Sequence, residues 1–358
     1  MSYDTVKIIR IKDKRLGAIH YLFMLAIIGY IIGYQIVWDH RYVISAVPNG
    51  SVRISLQVPD QRTPSHNLPY CNTYDGNSST VDVDMRNYCT YLDQDFVLLP
   101  SNIGDNSMFI TTRITESSQT LANNCSLSEY NCTYATTSNQ TTYVADIEEF
   151  TVLLDHFMFT VRPPHQATGR QLTGRIVNLN GQDVPLSKGE MVGTKDQFDI
   201  LKLSTILKAA GVNSLDEPGA YRKNLTKRYE GIVVVLFLNY TNLHTYNLAN
   251  LQYFFSAQVI EGAYFKFEQP IYSKNIKDRV IWNRHGIRLV IIPTGNYGAF
   301  DFPTALITFA SGLGLVAVST LVVDFLATYL LPQKKIYHQY KISETTLNTD
   351  GSDYNRYS

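Results

Sequence analysis

Two long apolar runs, both free of Asp, Glu, Lys and Arg, dominate the hydropathy pattern of the chain. The first covers residues 16–38 and the second covers 302–323, and the second resumes after Asp324 and ends at residue 331. Each can cross roughly 30 Å of hydrocarbon at about 1.5 Å per residue. The alternatives are a signal peptide for the first run and a buried core helix for the second. A signal peptide has an apolar core of only about 7–15 residues, followed by small residues. The pattern predicts membrane helices over 17–38 and 303–331.

The segment between the two runs is rich in the β-branched and aromatic residues that are typical of strands. Apolar residues recur at roughly helical spacing over 196–210, where Gly211 would end a helix. The stretch 117–142 is dense in Ser, Thr, Asn and Gln and predicts a solvated, glycosylated excursion, and the tail after Ile342 is expected to be disordered. We predict strands over residues 107–114, 150–161, 231–240, 263–267 and 287–293.

Basic residues flank both runs on the sides that lead to the chain ends. They are Lys7, Arg10, Lys12, Lys14 and Arg15 before the first run, and Lys334, Lys335 and Lys341 after the second. By the positive-inside rule, both ends lie in the cytosol. The sequence therefore predicts a cytosolic N-terminus over 1–16, a β-rich extracellular or lumenal domain over 39–302 and a cytosolic tail over 332–358.

Cysteines and glycosylation sequons support this topology, because all of them lie between the two runs. Four cysteines confined to that segment fit an oxidising compartment. They allow three pairings, of which the local one, Cys71 with Cys89 and Cys125 with Cys132, is our hypothesis. Sequons are common by chance, but their confinement to one side is informative. They begin at Asn49, Asn77, Asn124, Asn131, Asn139, Asn224 and Asn239.

Charge and motifs argue against several functional classes. The net charge is zero, so no nucleic-acid-binding surface is indicated. The sequence contains no phosphate-binding P-loop, no H-E-x-x-H or G-x-S-x-G motif and no metal-type cysteine spacing. We therefore expect neither an enzyme nor a metal or cofactor site, and we interpret a lone histidine such as His156 as a structural strand residue.

The second run carries a stripe of hydroxyl side chains beside several small residues. At about 100° per residue one face would hold the stripe, and Gly312 and Gly314 lie beside it. The stripe could line a water-filled pore, or it could belong to a close helix–helix contact in which the hydroxyls bond back to the helix. Composition leaves both interpretations open. The stripe consists of Thr304, Thr308, Ser311, Leu315, Ser319 and Val322.

Short motifs surround the two runs in a fixed order. They are Tyr3-x-Thr5-x-Lys7, residues 29–38, residues 93–112 with Pro100 and Gly104-Asp105-Asn106-Ser107, residues 150–154, residues 285–301, Ala310-Ser311-Gly312-Leu313 with Asp324, and Tyr337-x-x-x-Lys341. In order and spacing they resemble the P2X-type purinergic receptors, which are ATP-gated trimeric cation channels. The resemblance covers residues 3–341, and the low number of cysteines is similar to that of amoebal or algal members.

The resemblance implies a homotrimer with two membrane helices per subunit and a β-rich outer domain. ATP would act as a gating ligand that is not hydrolysed, and Na⁺, K⁺ and Ca²⁺ would pass. The head of that domain would correspond to residues 117–142. The narrowest part of the pore would lie near Ile307, Thr308, Ser311 and Gly314, and Tyr337 with Lys341 would form a trafficking motif.

The resemblance also implies an ATP site, although the chain departs from the family there. Adenine contacts would fall on Thr151 and Leu153. For the phosphates, the family's Lys-x-Lys pair is reduced to Arg53, and its Asn-Phe-Arg triplet becomes Tyr264-Phe265-Lys266. The family's later Lys falls on Asn283, with Arg284 adjacent. The candidate phosphate ligands are therefore Arg53, Lys266 and Arg284, because a polyphosphate needs several charge-assisted donors.

Lys266 is placed by the alternation of its predicted strand. Its side chain would share a face with Tyr264, and the opposite face would bury Phe265 and Phe267. We therefore expect Lys266 to point towards a cleft or solvent.

The sequence as a whole predicts an ATP-gated cation channel in the plasma membrane or an intracellular vacuole. A channel of the same fold with another ligand and a non-conducting glycosylated receptor remain alternatives, whereas a hydrolase has the least support.

Overall fold

The structure is a computed structural model that describes residues 14–341 except 65–66, 72–87, 101–105, 123–124, 127–128, 220, 244–245 and 333. The first motif, the sequons at Asn77 and Asn124, and the tail after residue 341 lie outside the described residues. The chain divides into two compact units. One unit contains Met1–Ile44 with Phe300–Ser358, and the other contains Ser45–Ala299.

Helices form most of the described part of the first unit, and strands form most of the second. The α-helices are α1 (Lys14–Gly29), α2 (Gln94–Val97), α3 (Leu203–Ala209), α4 (Lys227–Glu230), α5 (Phe302–Phe325) and α6 (Lys334–Lys341). The strands are β1 (Val43–Ala46), β2 (Asn49–Gln57), β3 (Tyr88–Thr90), β4 (Leu98–Pro100), β5 (Ser107–Leu121), β6 (Tyr134–Val144), β7 (Thr151–Thr160), β8 (His165–Thr168), β9 (Thr173–Val177), β10 (Asp199–Lys202), β11 (Ile232–Thr241), β12 (Gln252–Val259), β13 (Lys266–Tyr272) and β14 (Asp278–Phe300).

Two apolar helical segments of the first unit are long enough to span a membrane. The first comprises α1 and the π-helical turns Tyr30–Trp38, and the second comprises α5 and the π-helical turns Leu326–Leu330. The carboxylate of Asp301 caps α5, because it accepts a hydrogen bond from the backbone N–H of Thr304 at 2.9 Å.

The second unit is built on two sheets around a main hydrophobic core. The larger sheet runs in the order β3-β6-β5-β14-β11-β12-β9, and the smaller one runs β10-β7-β2 with β8 also paired to β7. Alternation directs one face of β7 inward, so that Val152, Leu154 and Met158 are buried. Helix α3 contributes Leu203 and Ile206 to the same core.

The strands predicted over 107–114, 150–161, 231–240 and 287–293 are confirmed, as parts of β5, β7, β11 and β14. The solvated excursion predicted over 117–142 takes the form of a β5–β6 hairpin, in which Ser117 pairs with Asn139 and Leu121 with Tyr134. Most of the β6 side chains in this hairpin are exposed, as a solvated segment requires. Thr, Ser and Tyr form this hairpin because cross-strand pairing satisfies their backbone groups.

The helix predicted over 196–210 is shorter than expected. It begins at Leu203, because the four preceding residues form β10 and pair with β7. Asp199 and Leu201 are buried while Ile200 is only half-buried, which is a strand alternation that resembles helical spacing over so few residues. Gly211 ends the helix in the left-handed region at φ +79°, as predicted.

The strand predicted over 263–267 is also wrong in its bounds and in its buried face. β13 begins only at Lys266, and Phe267 is 45% exposed. β13 pairs with β14 as an edge strand, and nearly all of its side chains are exposed, so no apolar face fixes its orientation. Phe265 lies before the strand and contacts Phe109, with 5.1 Å between ring centroids.

The disulfides of the structure are the two local pairs, Cys71–Cys89 and Cys125–Cys132. His156 lies in a buried polar cluster. Its Nε2 lies 3.0 Å from Asp199 Oδ2, and its Nδ1 lies 2.7 Å from the Tyr240 hydroxyl. The Tyr253 hydroxyl donates to the same carboxylate at 2.6 Å. This cluster joins the two sheets, so His156 has a structural setting.

Candidate functional site

The outer face of the smaller sheet holds three of the residues assigned to the ATP site. In the β2–β7 register, Arg53 lies opposite Asp155, Leu153 lies opposite Ser55 and Thr151 lies opposite Gln57. Because alternate residues share a face, Arg53, Leu153 and Thr151 point away from the core.

A fourth side chain on this face, Lys202, was missed by the sequence analysis. It lies opposite Thr151 on β10, and its Nζ lies 2.6 Å from Glu149 Oε2. This hydrogen bond raises the pKa of Lys202. The face therefore combines apolar, hydroxyl and cationic groups, which suits a base with a charged tail.

Lys266, the second of the predicted phosphate ligands, lines a cavity of about 340 Å³ at the larger sheet. Adjacent strands β13, β14 and β5 align Lys266, His285 and Arg113 in one cross-strand row. The cavity is completed by Thr115, Tyr221, Arg222, Leu225, Tyr229, Glu230, Tyr264 and Asn283.

Lys266 is accessible, as the sequence predicted, although its strand has different bounds. Its side chain is 47% exposed, and its Nζ lies 3.0 Å from Glu268 Oε1. An exposed pair of this kind contributes at most about 1 kcal/mol. Lys266 can therefore leave Glu268 and bind an anionic ligand.

Arg284 does not fit the role that the sequence analysis gave it. Its side chain is only 3% exposed, and its Nη1 donates to the backbone carbonyl of Phe96 at 2.7 Å. Its guanidinium also lies over the rings of Phe96 and Trp282. Strand alternation turns Asn283 to the cavity and Arg284 to the opposite face, so Arg284 is removed from the phosphate candidates.

His285, in the middle of the row, is neutral at physiological pH. Burial and the positive charge of Arg113 lower its pKa to about 4, and its Nδ1–H donates to the Glu230 carbonyl at 2.9 Å. Arg113 is, after Lys202, the second functional candidate that was not predicted from the sequence. The available signal was that Arg113 is the single charge of the predicted strand segment 107–114.

The four residues assigned to the pore lie on two different faces of α5. Ile307, Ser311 and Gly314 are exposed in the described chain. Thr308 is buried and its hydroxyl is shared between the carbonyls of Arg41 and Thr304, each at 2.9 Å.

Thr308 belongs to the face of α5 that packs against the first apolar helical segment. On this face a Cβ added to Gly312 would lie 2.8 Å from Ile31 Cδ1, so the small residue permits the close approach. Ser311 and Ser319 donate back to helix carbonyls at 2.7 Å. Close helix packing therefore explains the face with Thr308 and Gly312. The face with Ile307, Ser311 and Gly314 packs against no other helix among the described residues.

The other predicted sites lie at positions consistent with solvent access where the structure describes them. The side chains of Asn49, Asn131, Asn139 and Asn224 are exposed, and Asn239 is half-buried with its Nδ2 3.2 Å from Ser256 Oγ. Tyr337 and Lys341 fall in α6, where their side chains lie outside the described set.

Comparison with known proteins gives a consistent result. The family model "ATP P2X receptor" matches residues 1–152 and 241–344. P2X receptor E of Dictyostelium discoideum is 40% identical over 97% of this chain and 88% of its own length. P2X receptor A of the same organism is 38% identical over 96% of this chain and 90% of its own length.

Two solved structures share the fold. The P2X receptor of the Gulf Coast tick aligns with a TM-score of 0.56 and 17% identity, over 86% of this chain and 99% of that one. The chicken ATP-gated P2X7 receptor channel aligns with a TM-score of 0.53 and 13% identity, over 88% of this chain and 100% of that one.

The family match explains both the membrane helices and the absence of catalytic motifs, because P2X receptors are integral membrane ligand-gated channels and not enzymes. The relatives are matched over nearly their whole length. The chain belongs to the P2X receptor family.

Proposed function

We propose that the chain forms a homotrimeric cation channel that opens when ATP binds on its extracellular or lumenal side. Arg53, Thr151 and Leu153 share one exposed face of the smaller sheet, and Lys266 lines the cavity on the larger sheet. A ligand with an apolar ring and a polyphosphate tail matches these two surfaces. ATP bridging two neighbouring subunits would use one surface from each.

The observation that carries this proposal is the continuity between the cavity and the second membrane helix. β14 supplies His285 and Asn283 to the cavity and ends at Phe300, and α5 begins at Phe302. A shift of this strand on ligand binding would therefore act on α5 through two peptide links. Opening requires only that ATP bind the open state more tightly than the closed state, so ATP is a ligand and is not hydrolysed.

The exposed face of α5 with Ile307, Ser311 and Gly314 is our candidate for the pore wall, through which Na⁺, K⁺ and Ca²⁺ would pass. The plasma membrane and the membrane of an intracellular vacuole both place the sequon-bearing domain outside the cytosol. Either location fits the proposed direction of gating.

Patch recording tests the proposal in cells that lack such channels. ATP or an analogue with a non-hydrolysable γ-phosphate link, applied to the sequon-bearing side, should open a cation current. Application to the cytosolic side should not. Absence of current with both nucleotides, in a membrane that contains the glycosylated chain, would refute the proposal.

One observation favours a second candidate, which is a channel of the same fold with another ligand. Burial of Arg284 leaves only Arg53 and Lys266 of the three phosphate cations that the sequence suggested. If ATP fails, other extracellular anions should be screened in the same recording. If no tested anion evokes a current, the chain would instead act as a non-conducting receptor.

A further inference from the structure

Arg113 is a buried cation at the wall of the cavity described above. It is 4% exposed and lies in the centre of β5, opposite His285 on β14. Its Nε donates to the Tyr229 carbonyl at 3.0 Å, and its Nη1 donates to the Thr115 hydroxyl at 2.6 Å. Its guanidinium also stacks on the Tyr229 ring at 3.8 Å. These contacts hold the guanidinium in one place, where it lines the cavity.

No carboxylate of the described residues forms an ion pair with Arg113. Burial lowers its pKa, and the two groups that oppose this effect, Tyr229 and Tyr143, are phenols and not carboxylates. Arg228, which is equally buried, shows the usual arrangement, because it pairs with both Glu148 and Asp216. A buried cation without a carboxylate is costly unless another anion compensates it. The cavity beside Arg113 is where such an anion would fit.

The rest of the cavity favours an anion longer than a single carboxylate. Lys266 lies at the other end of the row from Arg113, with neutral His285 between them. Adjacent strands are about 4.8 Å apart, so the row separates the two cations by roughly 10 Å of backbone. Arg222 is an exposed third cation at the rim. The one carboxylate of the lining, Glu230, accepts from the Tyr221 N–H at 3.3 Å.

We propose that Arg113 is a phosphate-binding residue, and that a polyphosphate chain enters the cavity and lies between Arg113 and Lys266. Asn283, in the neighbouring row, lines the same cavity without a charge. Arg113 would supply the buried, oriented donor, and Lys266 the exposed and mobile one. That the polyphosphate belongs to ATP rests on the proposed function. That Arg113 binds a polyphosphate does not.

The competing explanation is that Arg113 only holds β5 against α4 through the Tyr229 carbonyl. Arg279 is a matched control for this explanation. It also stacks on a tyrosine, Tyr134, at 3.7 Å, and its Nε donates to Gln119 at 2.9 Å. Arg279 does not line the cavity.

The test measures the binding of ATP and of inorganic tripolyphosphate to the purified full-length chain by titration calorimetry. A charge-assisted hydrogen bond corresponds to a factor of about 10 to 150 in affinity. Arg113→Gln should weaken the binding of both ATP and tripolyphosphate by about that factor. Arg279→Gln should change neither affinity by more than about twofold.

Three outcomes separate this inference from the proposed function. Tripolyphosphate binding that depends on Arg113, without ATP binding, would leave the inference standing and refute ATP as the ligand. ATP binding that is unaffected by Arg113→Gln would overturn the inference alone. If neither compound binds to the unmodified chain, both fail.

A second measurement needs no variant, in case Arg113→Gln does not fold. Phenylglyoxal, which reacts with guanidinium groups, is applied to the unmodified chain with and without tripolyphosphate, and each arginine is followed by mass spectrometry. Tripolyphosphate should protect Arg113 at least several-fold and leave Arg279 unprotected. Equal labelling of Arg113 in both samples would overturn the proposal.

Discussion

At the scale of single residues, Lys266 is the exposed half of the proposed phosphate site. A hydrogen bond from a charged donor contributes roughly 1.5–3 kcal/mol, and about 1.4 kcal/mol corresponds to tenfold. Lys266→Ala should therefore raise the half-maximal ATP concentration by about 10- to 150-fold. Lys266→Arg should retain most of the response, because it keeps the cation. A Lys266→Ala channel that reaches the surface with an unchanged half-maximal concentration would show that the phosphates bind elsewhere.

Glu268 provides a complementary variant, because its carboxylate is the described partner of Lys266 at 3.0 Å. Removing the carboxylate should free Lys266 for the ligand. Exposed ion pairs are worth about 0.2–1 kcal/mol, so Glu268→Gln should lower the half-maximal ATP concentration by about 1.5- to 5-fold. In the Lys266→Ala background this gain should vanish. A gain that persists there would indicate general repulsion of the ligand instead of competition for Lys266.

His285 gives the outer domain a defined sensitivity to acid. Its pKa is about 4 in the folded chain, because of burial and then Arg113, against about 6.5 in an unfolded chain. As pH falls through 6.5, the unfolded state gains a proton that the folded state still excludes, so stability falls with pH down to about 4. Between pH 7 and pH 5 this group should remove about 1–2 kcal/mol, after allowance for its partial exposure.

Thermal unfolding of the purified chain at pH 7 and pH 5 measures this effect. The midpoint of the unmodified chain should fall further on acidification than that of His285→Gln, which has no proton to gain. Equal shifts in the two proteins would assign the acid sensitivity to other groups.

Single residues also show what the sequence could and could not place. Arg53, Thr151 and Leu153 point away from the core, because strand alternation decides which side chains of β2 and β7 leave it. Lys266 is accessible for a different reason, since nearly all side chains of the edge strand β13 are exposed. Arg284 was wrongly assigned to the phosphates, because neighbouring residues of a strand point to opposite faces. Asn283 faces the cavity, and Arg284 therefore faces away from it. Arg113 could not be assigned, because its role depends on the register of β5 against β14, which pairs residues far apart in the chain.

At the scale of elements, α5 offers two faces that a thiol reagent can distinguish. Cysteine replacements at Ile307, Ser311 and Gly314 should allow a charged reagent to block most of the ATP-evoked current. Thr308→Cys should react much more slowly, because that side chain is buried against the Arg41 carbonyl. Fast, equal block at Leu306 and Leu313 would mean that exposure in the single chain does not identify the pore wall.

Elements were predicted accurately where the alternation of apolar and polar residues matches the alternation of buried and exposed side chains. β7 and β11 are long, alternate clearly and lie in the core, so they were predicted well. β10 and β13 are short, and their state depends on pairing with β7 and β14. Pairing between distant segments is a tertiary effect that overrides local spacing, which explains the errors over 196–210 and 263–267.

At the scale of the whole molecule, the proposed ligand site and the proposed gate are separated in sequence and connected by one strand. β14 carries the cavity residues near its start and reaches the beginning of α5 at its end. The two surfaces assigned to ATP lie on different sheets. The first half of β14 is held between β5 and the edge strand β13. Ligand contacts to β5 and β13 would therefore converge on the strand that leads to α5.

Membrane topology decides the side from which any ligand must act. Asn131 and Asn139 are exposed near the end of the β5–β6 hairpin, and the positive-inside rule puts both chain ends in the cytosol. Asn131→Gln and Asn139→Gln should each reduce the glycosidase-sensitive shift in electrophoretic mobility, whereas Ser138→Ala, which leaves both sequons intact, should preserve it in full. In intact membranes, a protease added to the sequon-bearing side should leave an epitope placed after residue 341 uncut, and permeabilisation should expose it. Cleavage of that epitope before permeabilisation would place the tail and the sequons on the same side, and the two-span topology would be wrong.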